Sequence, residues 1–212
     1  MDIEEKIAKK IISLQYGRDF SVFAVCGAAD LGKSHLSAEI AKILGTLGVS
    51  ADYLSLDSYL INRSIRIKKG ISGYQPEAYD LLAAEKDIIK FKKGQPITVS
   101  PYCHSTGERV PEEKVIDSCN CLILEGLHSM HGILMPYILF SLFIHTDEDQ
   151  LIKIRRKADI SKRKQSPYFS KKIGAEEFKK YKEFVEPYKA KANWLLFLEE
   201  KWNYLIQRPS KN

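Results

Sequence analysis

The sequence predicts an α/β fold, a parallel sheet flanked by helices and carrying a small lid. Three observations support that expectation. Strand-like apolar runs alternate with helix-like runs along the chain, the order that builds a parallel sheet covered on both faces. The first strand-like run, Phe20 to Cys26, leads straight into the spacing G-x-x-x-x-G-K-[ST] at Gly27, Gly32, Lys33 and Ser34, and a helix-like run follows. The 212 residues suffice for one well-buried domain, and no stretch resembles a linker between two.

The elements follow in order. Ile3, Ile7, Ile11 and Leu14 share one helical face over residues 2–15, an amphipathic leader that covers core. A strand at 20–26, a helix from Lys33 to about Leu47 and a strand from Tyr53 to Leu56 make one βαβ unit. Residues 58–75 are polar, basic and marked by Gly70 and Gly73, which reads as a mobile loop or short helix over the site. A helix over 77–92 stops at Gly94 and Pro96, a short strand runs near 97–102, and Val110-Pro111 opens a short helix to Asp117. The runs 120–126 and 139–147 are buried strands; helices begin near Asp149 and near Gly174, and Trp194 to Leu198 is a last core strand. The terminal run KWNYLIQRP either extends the sheet or meets a partner subunit, which leaves a homo-oligomer open.

Composition narrows the function. Hydrophobic residues make up 44 % of the chain, and no apolar run approaches the roughly 18 residues a membrane helix needs. The start, MDIEEKIAKK, has no apolar core, so no secretory signal and a cytoplasmic location are expected. Cys26, Cys103, Cys119 and Cys121 form no C-x-x-C pair, so neither a disulfide nor a zinc site is expected. The net charge of +6 is scattered, densest over 153–182, and fits a protein that handles polyanionic ATP better than one that binds nucleic acid.

The glycine-bounded loop Gly27, Ala28, Ala29, Asp30, Leu31, Gly32, Lys33, Ser34, His35 is a phosphate cradle. Its backbone N–H groups turn inward, the helix N-terminus adds positive potential, Lys33 reaches the terminal phosphates and Ser34 holds Mg²⁺. The chain is thus read as one P-loop NTPase-type domain, 1–212, with its lid at about 155–173. Asp30 is out of character, since a carboxylate about 6 Å from a phosphate charge costs roughly 3 kcal/mol at an effective dielectric near 20. It is expected to point outward to solvent, because only backbone groups at the variable positions need face the phosphates; the alternative is weakened or altered nucleotide use. In open parallel sheets ligands sit beyond the carboxyl ends of strands, which singles out Asp57 after "SL" as a proton acceptor for an attacking hydroxyl, and Glu125 after "CLIL" as a Mg²⁺-associated acid.

The ordered set "GAADLGKS", "LSLDSYL", "QPEAYDLLAAEKDIIKFKKGQPI", "PYCHSTGERVPEE", "LILEGLHSM" and "FVEPYKAKANWLLF" resembles the phosphoribulokinase and uridine kinase family of P-loop kinases from about Val22 to Leu198. The resemblance implies Mg-ATP as phosphoryl donor, Asp57 as catalytic base and Lys33 and Ser34 on phosphate and metal. It implies Tyr102 and Arg109 on a nucleoside acceptor, with Tyr59 beside them. Cys103 and Gly107 stand where uridine kinases have an aspartate and a histidine, and "YCHSTG" with "EGLHSM" is closer to phosphoribulokinases, which makes His104 and His128 candidate acceptor contacts. The lid arginines that close on ATP correspond to Arg155, Arg156 and Arg163, Arg156 taken as catalytic, although Ala158 precedes Asp159 where the family has an Arg-Asp pair. The reading is a kinase acting on a small sugar-containing acceptor, a nucleoside first and a sugar phosphate second, the latter suited to the basic segment 62–69. A nucleotide-binding regulator without transfer activity is the rival.

Overall fold

Seven consecutive buried residues, SVFAVCG, form β1 (Ser21–Gly27), the strand around which the sheet is assembled. Burial of every position is the mark of an interior parallel strand with helices on both faces. In this computed structural model, which describes residues 2–161, 163–164 and 166–207, β2 (Ala51–Ser55), β7 (Cys121–Glu125), β1, β8 (Ile138–His145) and β9 (Trp194–Leu198) lie side by side in that order, all parallel. β10 (Tyr204–Gln207) runs antiparallel along β9. Two ribbons stand apart, β3 (Ile97–Val99) with β6 (Lys114–Ile116) and β4 (Tyr102–Cys103) with β5 (Glu108–Arg109).

The helices are α1 (Ile3–Gln15), α2 (Lys33–Thr46), α3 (Arg63–Lys68), α4 (Leu81–Lys92), α5 (Glu148–Ser161) and α6 (Pro167–Phe184). One apolar core joins the sheet to α1, α2 and α6 through Ile7, Ile11, Leu36, Ile40 and Tyr181, and a second joins it to α4 and the β3–β6 ribbon through Ala84, Ile88, Phe91 and Ile116. The chain leaves β1 toward β7 and β2 and returns on its other side as β8, so the crevice of a doubly wound sheet opens at the carboxyl end of β1. Gly27 closes that strand at φ +139°, and a Cβ there would sit 2.3 Å from the Ile144 carbonyl oxygen, so the turn into the loop accepts no side chain.

Three expectations are corrected. Residues 114–116 form a strand instead of a helix, because Lys-Val-Ile pairs with Ile97–Val99, buries Ile116, and sets Lys114 Nζ on the Asp52 carboxylate and the Tyr53 carbonyl. α4 begins at Leu81 and not at 77, because Tyr79 bridges Leu60 and the Asp80 side chain caps the helix by accepting from the Ala83 N–H at 3.0 Å. α6 begins at Pro167, a residue suited to a first helical position, which leaves Gly174 in the helix interior. The terminal run extends the sheet as β10; its residues 208–209, like residues 162 and 165 of the expected lid, lie outside the described residues. Segment 58–75 holds the short α3 after a 3₁₀ turn at Leu56–Tyr59. Among the described residues no helix is long and apolar enough to cross a membrane.

Candidate active site

The loop between β1 and α2 has the shape its spacing predicts. Gly32 takes φ +81° at the N-cap of α2, and Lys33 is buried with Nζ donating to the Ala28 carbonyl at 2.8 Å. Ser34 and His35 are exposed on the first helical turn, while Ala28 and Leu31 are buried and Ala29 lies between. The sheet brings both predicted acids to this loop. Ser34 Oγ donates to Glu125 Oε1 at 2.9 Å across the β1–β7 edge. Burial pushes the Glu125 carboxyl above the usual range and the Asp57 charge adds to that, against opposing pulls from Lys33, Ser55 and Ser34. A buried carboxylate beside a hydroxyl, both hard oxygen donors, fits Mg²⁺.

Asp57 sits on the 3₁₀ turn after β2. Burial pushes its carboxyl up, but the hydrogen bond from His104, the His104 and Lys33 charges and the Tyr79 hydroxyl outweigh it, so the group lies below its usual range. His104 Nε2 is 2.9 Å from Asp57 Oδ2, and the Tyr79 hydroxyl donates to Oδ1 at 3.5 Å. His104 belongs to the β4–β5 hairpin, whose Tyr102 faces Arg109 in register and packs edge-on against the His104 ring. α3 covers this hairpin: Arg66 Nη2 donates to the Tyr102 hydroxyl at 3.2 Å, and Arg63 donates to the His104 carbonyl. Arg63 also explains Gly107. A Cβ there, at φ +83°, would lie 2.7 Å from Arg63 Cβ, so the helix that supplies the arginines excludes a histidine at this position.

The same hairpin predicts a chemical signature. Hydrogen bonds from the Ser105 side chain first, then from Thr106, pull the Cys103 thiol down to about 6, whereas burial pushes Cys26 up to about 12. Cys103 is thereby the most readily deprotonated of these thiols, and iodoacetamide at pH 7 is expected to alkylate it before the buried Cys26, Cys119 and Cys121. Peptide mapping at partial modification checks the order, and a label arriving first on any other cysteine would contradict it.

Four expected site residues move. His128 is fully buried, with Nδ1 on the Tyr188 hydroxyl at 3.1 Å and Nε2 on the Tyr74 carbonyl at 3.0 Å, and burial lowers its pKa to about 4, so both ring nitrogens are already engaged within the packing. Tyr59 is 4 % exposed and donates its hydroxyl to Asp87 on α4 at 2.9 Å, away from Asp57. Arg156 is exposed and lines a cavity of about 310 Å³ between α5 and α6. One residue is about 100° of helix, so its neighbour Arg155, which lines the same cavity, also reaches Asp30 of the phosphate loop. Asp30 does not face solvent: its side chain is 7 % exposed, with Arg163 Nη1 at 3.0 Å and Arg155 Nη1 at 3.5 Å.

Two residues at the site had no signal in the sequence. Tyr79 reaches Asp57 because it is extended, standing between a 3₁₀ turn at Pro76–Ala78 and the start of α4. Tyr204 on β10 donates its hydroxyl to the Leu31 carbonyl at 2.8 Å and so props the phosphate loop from 173 residues away.

The relatives bear on this geometry. Residues 22–197 match the model of the phosphoribulokinase / uridine kinase family. A pantothenate kinase from Vibrio cholerae is 28 % identical over 149 residues, 62 % of this chain and 47 % of that protein. The chain thus spans about half the length of the curated relatives it matches. Among solved structures, D-glycerate 3-kinase from Cryptococcus neoformans aligns at TM-score 0.74 with 13 % identity over 98 % of this chain and 99 % of that one. Phosphoribulokinase from Rhodobacter spheroides aligns at 0.70 with 14 % identity over 90 % and 80 %. At such identities the structural matches speak for the fold.

Proposed function

The chain belongs to the phosphoribulokinase / uridine kinase family, and from that premise we propose that it is an ATP- and Mg²⁺-dependent kinase that phosphorylates a hydroxyl of a small acceptor bound against Asp57. The observation that carries this reading is the Asp57–His104 contact, set between the phosphate-loop lysine and a hairpin of polar side chains. Asp57 would take the proton from the acceptor hydroxyl as its oxygen bonds to the γ-phosphorus and the bond to the ADP oxygen breaks. His104 and Tyr79 hold the carboxylate in place for that transfer. Lys33 would exchange the Ala28 carbonyl for phosphate oxygens, and the loop N–H groups would orient the tail. Ser34 and Glu125 would hold Mg²⁺, which neutralises phosphate charge when bound.

The acceptor side is cationic. Arg63 and Arg66 of α3, with Arg109, surround the hairpin that carries His104. We therefore read the acceptor as a hydroxylated molecule bearing an anionic group, of the pentose phosphate kind. A nucleoside is the second reading, favoured by Tyr102 and Arg109 standing opposite each other in register. Acceptor-dependent ADP release across nucleosides, pentoses and pentose phosphates, with Asp57→Asn as the blank, tests both. Release with the phosphorylated acceptors is expected; faster release with nucleosides would reverse the order. Silence across the panel with ATP binding intact would favour the regulator.

A further inference from the structure

The phosphate loop carries an acid whose side chain is turned into the protein. Asp30 adopts φ +64°, a conformation aspartate and asparagine tolerate better than most residues. Its carboxylate accepts from Arg163 Nη1 at 3.0 Å and has Arg155 Nη1 at 3.5 Å. Both arginines also reach Asp159, from Arg155 Nε and Arg163 Nη1, each at 3.2 Å. Arg155 lies over the Tyr74 ring, 5.6 Å from its centroid, and donates to the Tyr74 hydroxyl at 3.4 Å. The two arginine side chains are 20 % and 13 % exposed and the two carboxylates 7 % and 6 %, so the cluster is largely dehydrated, and the Glu177 charge also acts on Arg155.

This cluster is set against a loop built to attract negative charge. Inward N–H groups, the start of α2 and Lys33 all draw in phosphate. A terminal phosphate arriving there meets the Asp30 charge, and what relieves the repulsion is transfer of the guanidinium groups that Asp30 holds. Arginine forks fit carboxylate and phosphate oxygens with the same planar geometry, so the exchange requires no new kind of contact.

We propose that Asp30 is a positioning residue that stands in for the terminal phosphate of the nucleotide: it holds Arg155 and Arg163 at the rim of the phosphate loop, and bound ATP takes them over. The inference rests on the ATP reading of the loop. ADP lacks the group that competes, so it leaves Asp30 and its arginines together. The departure from a neutral phosphate loop is then a device that lowers affinity for ATP while keeping two cations ready for it.

The test is calorimetric titration of the full chain with Mg-ATP and Mg-ADP, beside thermal melts. Asp30→Asn keeps the size and the backbone conformation and removes the charge. It is expected to bind Mg-ATP about tenfold tighter or more, with Mg-ADP changed by less than about threefold. Arg163→Met is the second variant, expected to weaken Mg-ATP and spare Mg-ADP. An Asp30→Asn protein that binds ATP unchanged or more weakly overturns the proposal, as does equal tightening toward both nucleotides, the mark of a general charge effect. A purely structural cluster would lower the melting temperature in both variants and leave the ATP-to-ADP ratio where it was, which also overturns it. Wild type that binds neither nucleotide would sink the ATP reading and this inference together; wild type that binds both, with variants alike, sinks this inference alone.

Discussion

Asp57→Asn is expected to lower acceptor-dependent turnover by about 10²- to 10⁴-fold, the range that general-base contributions span, and to leave Mg-ATP affinity nearly unchanged. The amide keeps the shape of the carboxylate, so the neighbouring 3₁₀ turn at Leu56–Tyr59 and the contact with His104 have little reason to rearrange. What disappears is the proton acceptor. The wild-type carboxyl lies below its usual range because His104, Lys33 and Tyr79 together outweigh burial. The sign matters for the pH profile: a lowered pKa keeps the base ionised as pH falls, so an acid limb of turnover due to Asp57 should lie below the ordinary aspartate value of about 3.9. Single-turnover rates of both proteins at saturating Mg-ATP check the size of the effect. A variant that turns over as fast as wild type would remove Asp57 from the chemistry.

The fold was legible where burial makes a pattern. SVFAVCG and CLILE are buried at every position and apolar between their ends because both faces are covered, and the loop after the first is fixed by residues whose spacing serves phosphate directly. Asp57 and Glu125 were legible for a related reason, since strand ends in a parallel sheet converge on one edge whatever the intervening sequence. What stayed hidden depends on contacts between distant segments. The direction of Asp30 is decided by arginines 125 and 133 residues further along, and the strand at Lys114–Ile116 by a partner at Ile97–Val99. His128 illustrates the opposite error. Its spelling beside the glutamate strand suggests chemistry, yet Tyr188 and Tyr74 enclose it from elements that no local pattern connects to it. Arg155 and Arg156 both line the α5–α6 cavity, and one helical position separates a side chain paired with Asp30 of the phosphate loop from an exposed neighbour.

Lys33→Met is expected to cut turnover by about 10³-fold or more, the order seen when a preorganised charge-stabilising donor is removed, and its deficit should deepen as pH falls. The second part follows from the charges around the lysine. Glu125 is buried, and both that burial and Asp57 push its pKa up while Lys33 is among the groups pulling it down. The same ammonium helps keep Asp57 ionised. Replacing it with an uncharged chain of similar length leaves two carboxyls facing each other without it, and the Glu125 pKa must rise further. A raised carboxyl pKa means that the charged, metal-holding form is recovered only as pH increases, so the Mg²⁺ dependence of nucleotide binding should be steeper in the variant at pH 6 than at pH 8. Wild type, with the lysine present, should show the smaller difference. A deficit of equal size at both pH values would mean that Lys33 acts on phosphate alone and that the charge of Glu125 is set by its other neighbours, Ser34 and Ser55.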